Sequence, residues 1–148
     1  MKTIHYSVLW NESIDGLNIN NDGVYVDCTL GYAGHSKVIL EKIKKGYLYA
    51  FDEDESATEY SQNALASIGD NFKIFRKNFV NLKETLKTEN INKVDGILFD
   101  LGFSSPQIDE KARGFSFMLD SFLDMRMDRT SKLTAFGVVN TYSVDKIT

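Results

Sequence analysis

The chain has 148 residues, of which 43% are hydrophobic and 26% are charged. That composition suits one globular domain with a hydrophobic core, and no stretch approaches the roughly 18 apolar residues of a membrane span. The formal net charge of −4 excludes a basic field over the whole surface. Any nucleic-acid contact is therefore expected from a local patch in residues 75–148 or from residues beyond this chain.

The N-terminal residues and the single cysteine predict the compartment. Residues 1–7 lack the apolar core of a signal peptide. Cys28 is the one cysteine, which excludes an internal disulfide framework and suits the reducing cytosol, and we expect it to be a small buried side chain. The protein is therefore predicted to be cytoplasmic, with no membrane contact.

Short apolar runs alternate with helical periodicities between residues 7 and 100. Strands are predicted at residues 24–26, 47–51, 72–75 and 94–100, and helices at residues 7–17, 37–43, 55–66 and 82–87. This alternation is typical of α/β proteins with a parallel, doubly wound sheet. Right-handed crossovers would bring the carboxyl ends of the strands to one edge, where Asp27, Asp52, Asn78 with Phe79, and Asp100 would gather.

A glycine-bearing turn follows the first strand, with the sequence Gly-Tyr-Ala-Gly-His-Ser at residues 31–36. Gly31 and Gly34 permit a sharp turn and a close approach to a ligand. Ser36 or His35 is predicted to cap the next helix, whose free N–H groups would face that ligand. A dinucleotide fingerprint needs glycine at positions 31, 33 and 36, and only the first is present. The turn therefore favours a nucleotide-type cofactor without a pyrophosphate, such as S-adenosylmethionine.

Asp52 ends the second strand, 18 residues after Gly34. An acid at this place suits hydrogen bonds to the two hydroxyls of a ribose, in NAD or in S-adenosylmethionine. The alternative is that Asp52 only caps the following helix, as part of the acidic run at residues 52–55, because acids are favourable in a first helical turn.

Asp100 begins the run Asp-Leu-Gly-Phe-Ser-Ser-Pro-Gln at residues 100–107. An acid there can hydrogen-bond the N–H of an exocyclic amine that receives a methyl group, while in-line positioning supplies much of the remaining rate. The alternative is a purely structural turn. His35 is either a general base or a helix-start residue, and no Cys/His set has the spacing of metal ligands.

Residues 101–130 show no clear period, and a helical pattern returns at residues 133–142. A long irregular segment in a compact domain is often functional. Within it, Arg113, Phe115 and Phe117 either clamp an RNA base or pack on the domain. Only four strands are predicted, whereas doubly wound folds often have about five to seven, so we expect an incomplete protein.

At these residues the sequence resembles the RsmH (MraW) type 16S ribosomal RNA cytosine-N4 methyltransferases. The matching pieces stand in order along nearly the whole chain: His5 with Val8 and Leu9, residues 23–31 and 34–36, Asp52, Phe79, and residues 95–107, 113–117, 123–128 and 140–142. The blocks at residues 100–107 and 123–128 are long and highly specific.

The resemblance implies a Rossmann-like S-adenosylmethionine-dependent methyltransferase fold that methylates the N4 amine of a cytidine in the decoding region of 16S rRNA, with the small ribosomal subunit as partner. Cofactor contacts would fall on Gly31, Ala33, Gly34, His35, Asp52, Phe79, Asp100 and Gln107. The amine site would include Asp100, Ser104 and Ser105, and the RNA contact Arg113, Phe115, Phe117 and Arg126. The ring of Phe79 would lie against adenine.

Three departures from the family matter. Ala33 stands where the family usually has a glycine, which costs about 1–2 kcal/mol if the position needs a positive φ. Ser121 and Phe122 replace a common Gly-Pro, and the family's proteins are about twice as long. We therefore expect the first half of a methyltransferase domain at residues 1–104 and the beginning of an inserted substrate-recognition region at residues 105–148. A truncated, inactive fragment and a small-molecule methyltransferase on the same fold are the open alternatives.

Overall fold

The computed structural model describes residues 10–147, which form two compact units that divide after Leu101. The first unit contains α1 (Trp10–Gly16), β1 (Val24–Asp27), α2 (Gly34–Lys42), β2 (Tyr47–Asp52), α3 (Glu55–Ala66), β3 (Phe72–Arg76), a 3₁₀ turn (Phe79–Asn81), α4 (Leu82–Thr88) and β4 (Gly96–Leu98). The second contains α5 (Ser105–Asp109), a 3₁₀ turn (Lys111–Arg113), α6 (Ala135–Thr141) and α7 (Val144–Ile147). The predicted helix cap at Ser7 and the family residues His5, Val8 and Leu9 lie outside the described residues.

The four strands form one parallel sheet in the order β3-β2-β1-β4. Val26 at the middle of β1 is in register with Tyr49 on one side and Ile97 on the other. Both partners of β1 are parallel to it, so each connection crosses over the sheet, as the alternation of strands and helices requires. The predicted parallel α/β architecture is confirmed.

Alternate residues of β1 enter two different hydrophobic cores. Tyr25 packs in the core formed with α1, α2 and α3, where Ile39 and Leu65 are fully buried. Val26 packs in the second core, on the side of α4, with Phe51 and Leu86. Successive side chains of a strand point to opposite faces, so this sheet is covered on both. The carboxyl ends of the strands are thereby fixed between two helical layers.

The fourth strand is shorter than the predicted range of 94–100, and at each end a side-chain oxygen accepts an amide that a longer ladder with β1 would give to a backbone carbonyl. Asp95 Oδ2 accepts a hydrogen bond from the Val24 amide at 2.8 Å, and the Asp100 amide donates to Thr29 Oγ1 at 2.7 Å. The strand ladder is confined to Gly96–Leu98. The segment predicted as irregular includes the short helix α5, and the predicted helix at residues 133–142 appears as α6. Among residues 10–147, no helix combines the length and the apolarity that a membrane crossing demands.

The glycine that immediately precedes β2 is predicted to be important for stability. A Cβ atom on Gly46 would lie 2.0 Å from the backbone oxygen of Gly23, and backbone cannot move aside as a flexible side chain does. We expect Gly46→Ala to lower the free energy of unfolding by about 3 kcal/mol in urea denaturation. Gly16→Ala is the control, because outside its chain neighbours and the adjacent backbone of α1 no atom of the described residues lies within 4 Å of its added Cβ. Similar stability of the two variants would contradict this close packing.

Candidate active site

Loop 28–31 follows β1 and is hydrogen-bonded to the carboxyl ends of β4 and β2, the two strands that flank β1. The Cys28 amide donates to the Leu98 carbonyl at 2.9 Å, and the Leu30 amide donates to the Phe51 carbonyl at 3.0 Å. The first bond attaches the loop to β4 and the second attaches it to β2. The ends of β1, β2 and β4, which carry Asp27, Asp52 and Asp100, are therefore joined by backbone hydrogen bonds at one edge of the sheet.

The turn that leads into α2 uses two left-handed residues. Gly31 has φ +49° and Ala33 has φ +63°, so the positive φ that would make alanine costly at position 33 is present. A Cβ atom on Gly31 would meet nothing closer than the Thr29 oxygen at 3.9 Å, so the space beside this residue is open. Ala33, by contrast, is fully buried.

Asp52 fixes this turn from the end of β2. Its Oδ2 accepts a hydrogen bond from the Gly31 amide at 2.7 Å, and its Oδ1 accepts one from the Asp54 amide at 2.9 Å. Burial raises the pKa of Asp52, while these amide hydrogen bonds oppose the shift. Ser61 completes the fixation by donating its hydroxyl to the Gly31 carbonyl at 2.8 Å. The acid that caps α3 is Asp54, which accepts from the amides of the first helical turn, so the capping alternative for Asp52 is wrong.

Asp27, at the end of β1, is hydrogen-bonded to the first turn of α2. It is buried, and it accepts hydrogen bonds from the Ser36 hydroxyl at 2.6 Å and from the Thr29 amide at 3.1 Å. Ser36 was predicted to cap α2, as the alternative to His35. Both predictions are wrong, because α2 begins at Gly34, its N-cap is the left-handed Ala33, and that cap has no side-chain hydrogen bond.

His35 lies in the first turn of α2 and its side chain is buried, with 4% exposed. Its Nδ1 is 3.7 Å from Asp100 Oδ2, which places the imidazole beside the end of β4. Its Nε2 is buried and makes no hydrogen bond to any of the described residues. A buried nitrogen of this kind is rare and is often found where a ligand or water supplies the missing partner.

Phe79 follows β3, at the start of the 3₁₀ turn. Its ring meets that of Phe99 edge to face, with 5.4 Å between the centroids, and it is partly exposed. Asn78 fixes the turn by accepting a hydrogen bond from the Val80 amide at 2.8 Å. The first unit thus presents an aromatic ring at the end of β3 and an acid at the end of each other strand.

The remaining predicted residues belong to the second unit. Ser104 is the N-cap residue of α5, Ser105 is the first residue of that helix, and the buried Gln107 accepts a hydrogen bond from the Ser104 amide at 2.9 Å. Arg113 is buried and Phe117 is 97% exposed, so these two predicted RNA contacts have opposite environments.

Two more predicted RNA contacts are engaged within the second unit. Arg126 forms an ion pair with Asp124, and the ring of Phe115 lies 6.0 Å from that of Phe103. Asp124 was not among the predicted site residues, although it lies in the block at residues 123–128 that carries the resemblance. Among residues 10–147, no group of His, Cys, Asp and Glu side chains is arranged to hold a metal ion.

The parallel sheet with helices on both faces is a Rossmann-like fold of the kind found in S-adenosylmethionine-dependent methyltransferases. It is similar to the crystal structure of an rRNA methylase from Streptococcus thermophilus, with a TM-score of 0.52 and 23% identity over 62% of this chain and 53% of that one. At this identity the likeness concerns the fold alone.

Residues 2–148 match the model of the MraW methylase family, and the chain belongs to this family. It is 56% identical to the ribosomal RNA small subunit methyltransferase H of Exiguobacterium sibiricum over 92% of this chain and 44% of that protein. The protein of the same name from Mycoplasmopsis synoviae is 50% identical over 99% of this chain and 49% of its own length. The chain thus spans about half the length of the curated relatives it matches.

The buried Asp27 makes stability depend on pH. Burial raises its pKa above the usual 3.8, against the effect of the hydrogen bonds from Ser36 and Thr29. The folded state therefore binds this proton more tightly than the unfolded state, and its contribution to stability falls as the pH rises from 3.8 through the raised pKa. We expect Asp27→Asn to be more stable than the wild type at pH 7.

Urea denaturation at several pH values tests this expectation. The advantage of Asp27→Asn should shrink as the pH falls and disappear below about 3.8, where both chains are neutral at this position. Asp22→Asn, at an exposed carboxyl just before β1, is the control and should change little at any pH. A stability difference for Asp27→Asn that is the same at all pH values would contradict the assignment.

Proposed function

We propose that this chain supplies the cofactor site of an S-adenosylmethionine-dependent enzyme that methylates the N4 amine of a cytidine in 16S rRNA. Two relatives that share at least half of their aligned residues with it are named as small-subunit ribosomal RNA methyltransferases. The cofactor proposal rests mainly on the turn at Gly31, which is left-handed and has open space beside it. Asp52 accepts a hydrogen bond from the Gly31 amide, and the turn leads directly into α2.

The residues at this edge fit the proposed cofactor. The first-turn amides of α2 have no acceptors within the helix, as in every α-helix. The N-cap residue Ala33 has no side-chain group that could accept their hydrogen bonds. The helix start thus suits the carboxylate of the methionine part. The open space beside Gly31 admits a ligand close to the backbone, and the orphaned Nε2 of His35 has a hydrogen bond to give or receive. When bound, the cofactor supplies an activated methyl group.

Asp52 and Phe79 are proposed to hold the nucleoside part. Each oxygen of Asp52 accepts one amide hydrogen bond and, as a carboxylate oxygen, has capacity for another, which a ribose hydroxyl can use. The partly exposed ring of Phe79 offers a face for adenine, while its contact with Phe99 fixes its orientation. Both groups are already oriented by contacts within the first unit, so little ordering is required on binding.

Asp100 is proposed to receive the amine. Its backbone is fixed by Thr29 and its carboxylate lies beside His35, with about a third of the side chain exposed. The carboxylate can accept a hydrogen bond from an N–H of the cytosine amine, which helps the nitrogen to pyramidalise and directs its lone pair, while in-line positioning contributes much of the remaining rate. Ser104 and Ser105 remain proposed neighbours of the amine, and Gln107 a proposed cofactor contact, on the resemblance of residues 100–107 to the family.

Residues 105–148 are proposed to begin the region that recognises the RNA, and residues 1–104 to belong to the cofactor domain. Phe117 is the strongest candidate for direct contact, because 97% of its side chain is exposed. An exposed aromatic ring can stack on an unpaired RNA base. Phe115, Arg113 and Arg126 belong to the same part of the chain.

The test is a calorimetric titration of this chain with S-adenosylmethionine. We expect saturable binding, and an affinity at least about tenfold lower in Asp52→Ala, because loss of a charge-assisted hydrogen bond costs roughly 1.5–3 kcal/mol. Asp54→Ala is the matched control: it removes the N-cap of α3, at about 1 kcal/mol of stability, and should leave the affinity unchanged.

Equal losses of affinity in the two variants would mean that Asp52 acts only through the fold. A folded wild-type chain that shows no binding would contradict the cofactor proposal. Binding by the chain without methylation of small ribosomal subunits would favour the alternative of a fragment that holds the cofactor but turns nothing over.

A further inference from the structure

Residues 114–124 form a loop whose two ends touch. Gly114 has φ +72°, and a Cβ atom there would lie 2.5 Å from the Phe122 oxygen and 2.7 Å from the Asp124 nitrogen. Immediately beyond the loop, the Met125 amide donates to the Arg113 carbonyl at 3.0 Å. The chain therefore leaves and returns at one point, and the loop is closed at its base by backbone contacts.

Arg113 lies at the base of the loop, and its guanidinium is buried in the protein. The side chain is buried, with 4% exposed, and its Nη2 donates to the carbonyls of Arg126 at 3.2 Å and Met127 at 3.3 Å. A buried guanidinium needs hydrogen-bond acceptors, and these two carbonyls help to place it. The same contacts attach the first end of the loop to the segment that follows the second end.

Arg126 lies at the other end of the loop and is engaged on both sides of its guanidinium. Its Nε and Nη2 donate to the two carboxylate oxygens of Asp124 at 2.6 and 2.8 Å, a two-pronged pair that lowers the pKa of Asp124. Its Nη1 donates to the carbonyls of Arg129 at 3.1 Å and Ser131 at 2.7 Å. A guanidinium has five N–H donors, and these bonds use four of them.

The tip of the loop has the opposite character. Phe117 is 97% exposed and Met118 is 79% exposed, and the local turn is fixed by a hydrogen bond from the Met118 amide to Ser116 Oγ at 3.2 Å. Large apolar side chains that are presented to solvent on a closed loop mark a contact surface. Arg113 at the base of the loop is thus buried, whereas the large apolar side chains at its tip face solvent.

We propose that Arg126, paired with Asp124, and Arg113 are positioning residues that keep the 114–124 loop closed, so that Phe117 is presented to an unpaired RNA base. Neither guanidinium contacts an RNA phosphate. This division of roles rests on the proposed function for the RNA itself, whereas the closing of the loop by the two arginines does not.

Hydrogen exchange on the chain alone tests the positioning role. The reporters are the Met125 amide, bonded to the Arg113 carbonyl, and the Ala135 amide, bonded to the Asp124 carbonyl at 2.8 Å. Arg126→Lys keeps the charge but lacks the planar fork, and Asp124→Asn keeps the shape but lacks the charge. We expect both variants to exchange at least about tenfold faster at the two reporters. Unchanged exchange in both variants would overturn the proposal.

Binding of a fluorescein-labelled single-stranded RNA containing unpaired cytidines separates positioning from contact. We expect Phe117→Ala to bind roughly tenfold more weakly with unchanged exchange at the reporters, because stacking on the base is lost. Arg126→Lys and Asp124→Asn should also bind more weakly, with the same salt dependence as the wild type. Arg126→Ala, which removes the charge altogether, should also keep this salt dependence, whereas loss of an arginine–phosphate contact would lower the slope of log affinity against log salt by about 1.

Asp124→Asn decides between the two roles most sharply. If Arg126 met a phosphate, removal of the neighbouring negative charge would strengthen RNA binding, and this result would overturn the proposal. A further outcome is that the wild type binds no RNA while amide exchange is faster in Arg126→Lys and Asp124→Asn. In that case the two residues do position the loop, and the RNA part of the proposed function fails.

Discussion

A single carboxylate holds the turn beyond β1 on which the candidate site depends. Asp52 at the end of β2 accepts the Gly31 amide at 2.7 Å, and Ser61 of α3 donates to the carbonyl of the same glycine. These contacts hold Gly31 in the left-handed conformation, which is one of several backbone conformations open to a glycine. Because α2 begins directly after this turn, the direction of its first amides depends on the same contacts.

The two units achieve order by different physical means. The first buries apolar side chains on both faces of a parallel sheet, and its polar groups are concentrated at the carboxyl edge. The second has short helices and is held at the base of its exposed loop by Arg113 and Arg126. Hydrogen bonds from arginine to backbone carbonyls can fix an irregular segment whose large apolar side chains are mostly exposed instead of packed in a core.

The sheet could be predicted because its signals are local: apolar runs of β-formers, helical periodicity between them, and an acid where each of three strands ends. The start of α2 could not, because an αL conformation at Ala33 is not visible in an alanine. The burial of Arg113 could not be predicted from the sequence either. Its acceptors are backbone carbonyls 13 and 14 residues away, and any residue type can supply a backbone carbonyl. The strand ends and the resemblance to the family predicted candidate site residues, but not how Asp27, Ser36 and Ala33 build the turn.

The most direct test of the central claim, that this turn and the neighbouring strand ends bind S-adenosylmethionine, is a titration followed by amide chemical shifts in ¹⁵N-labelled protein. The account predicts saturable chemical-shift changes at Gly31, His35, Asp52, Phe79 and Asp100. The amide chemical shifts of α4 beyond its first turn should not change. Shifts that are absent from a folded chain, or that gather on another face of the sheet, would contradict it.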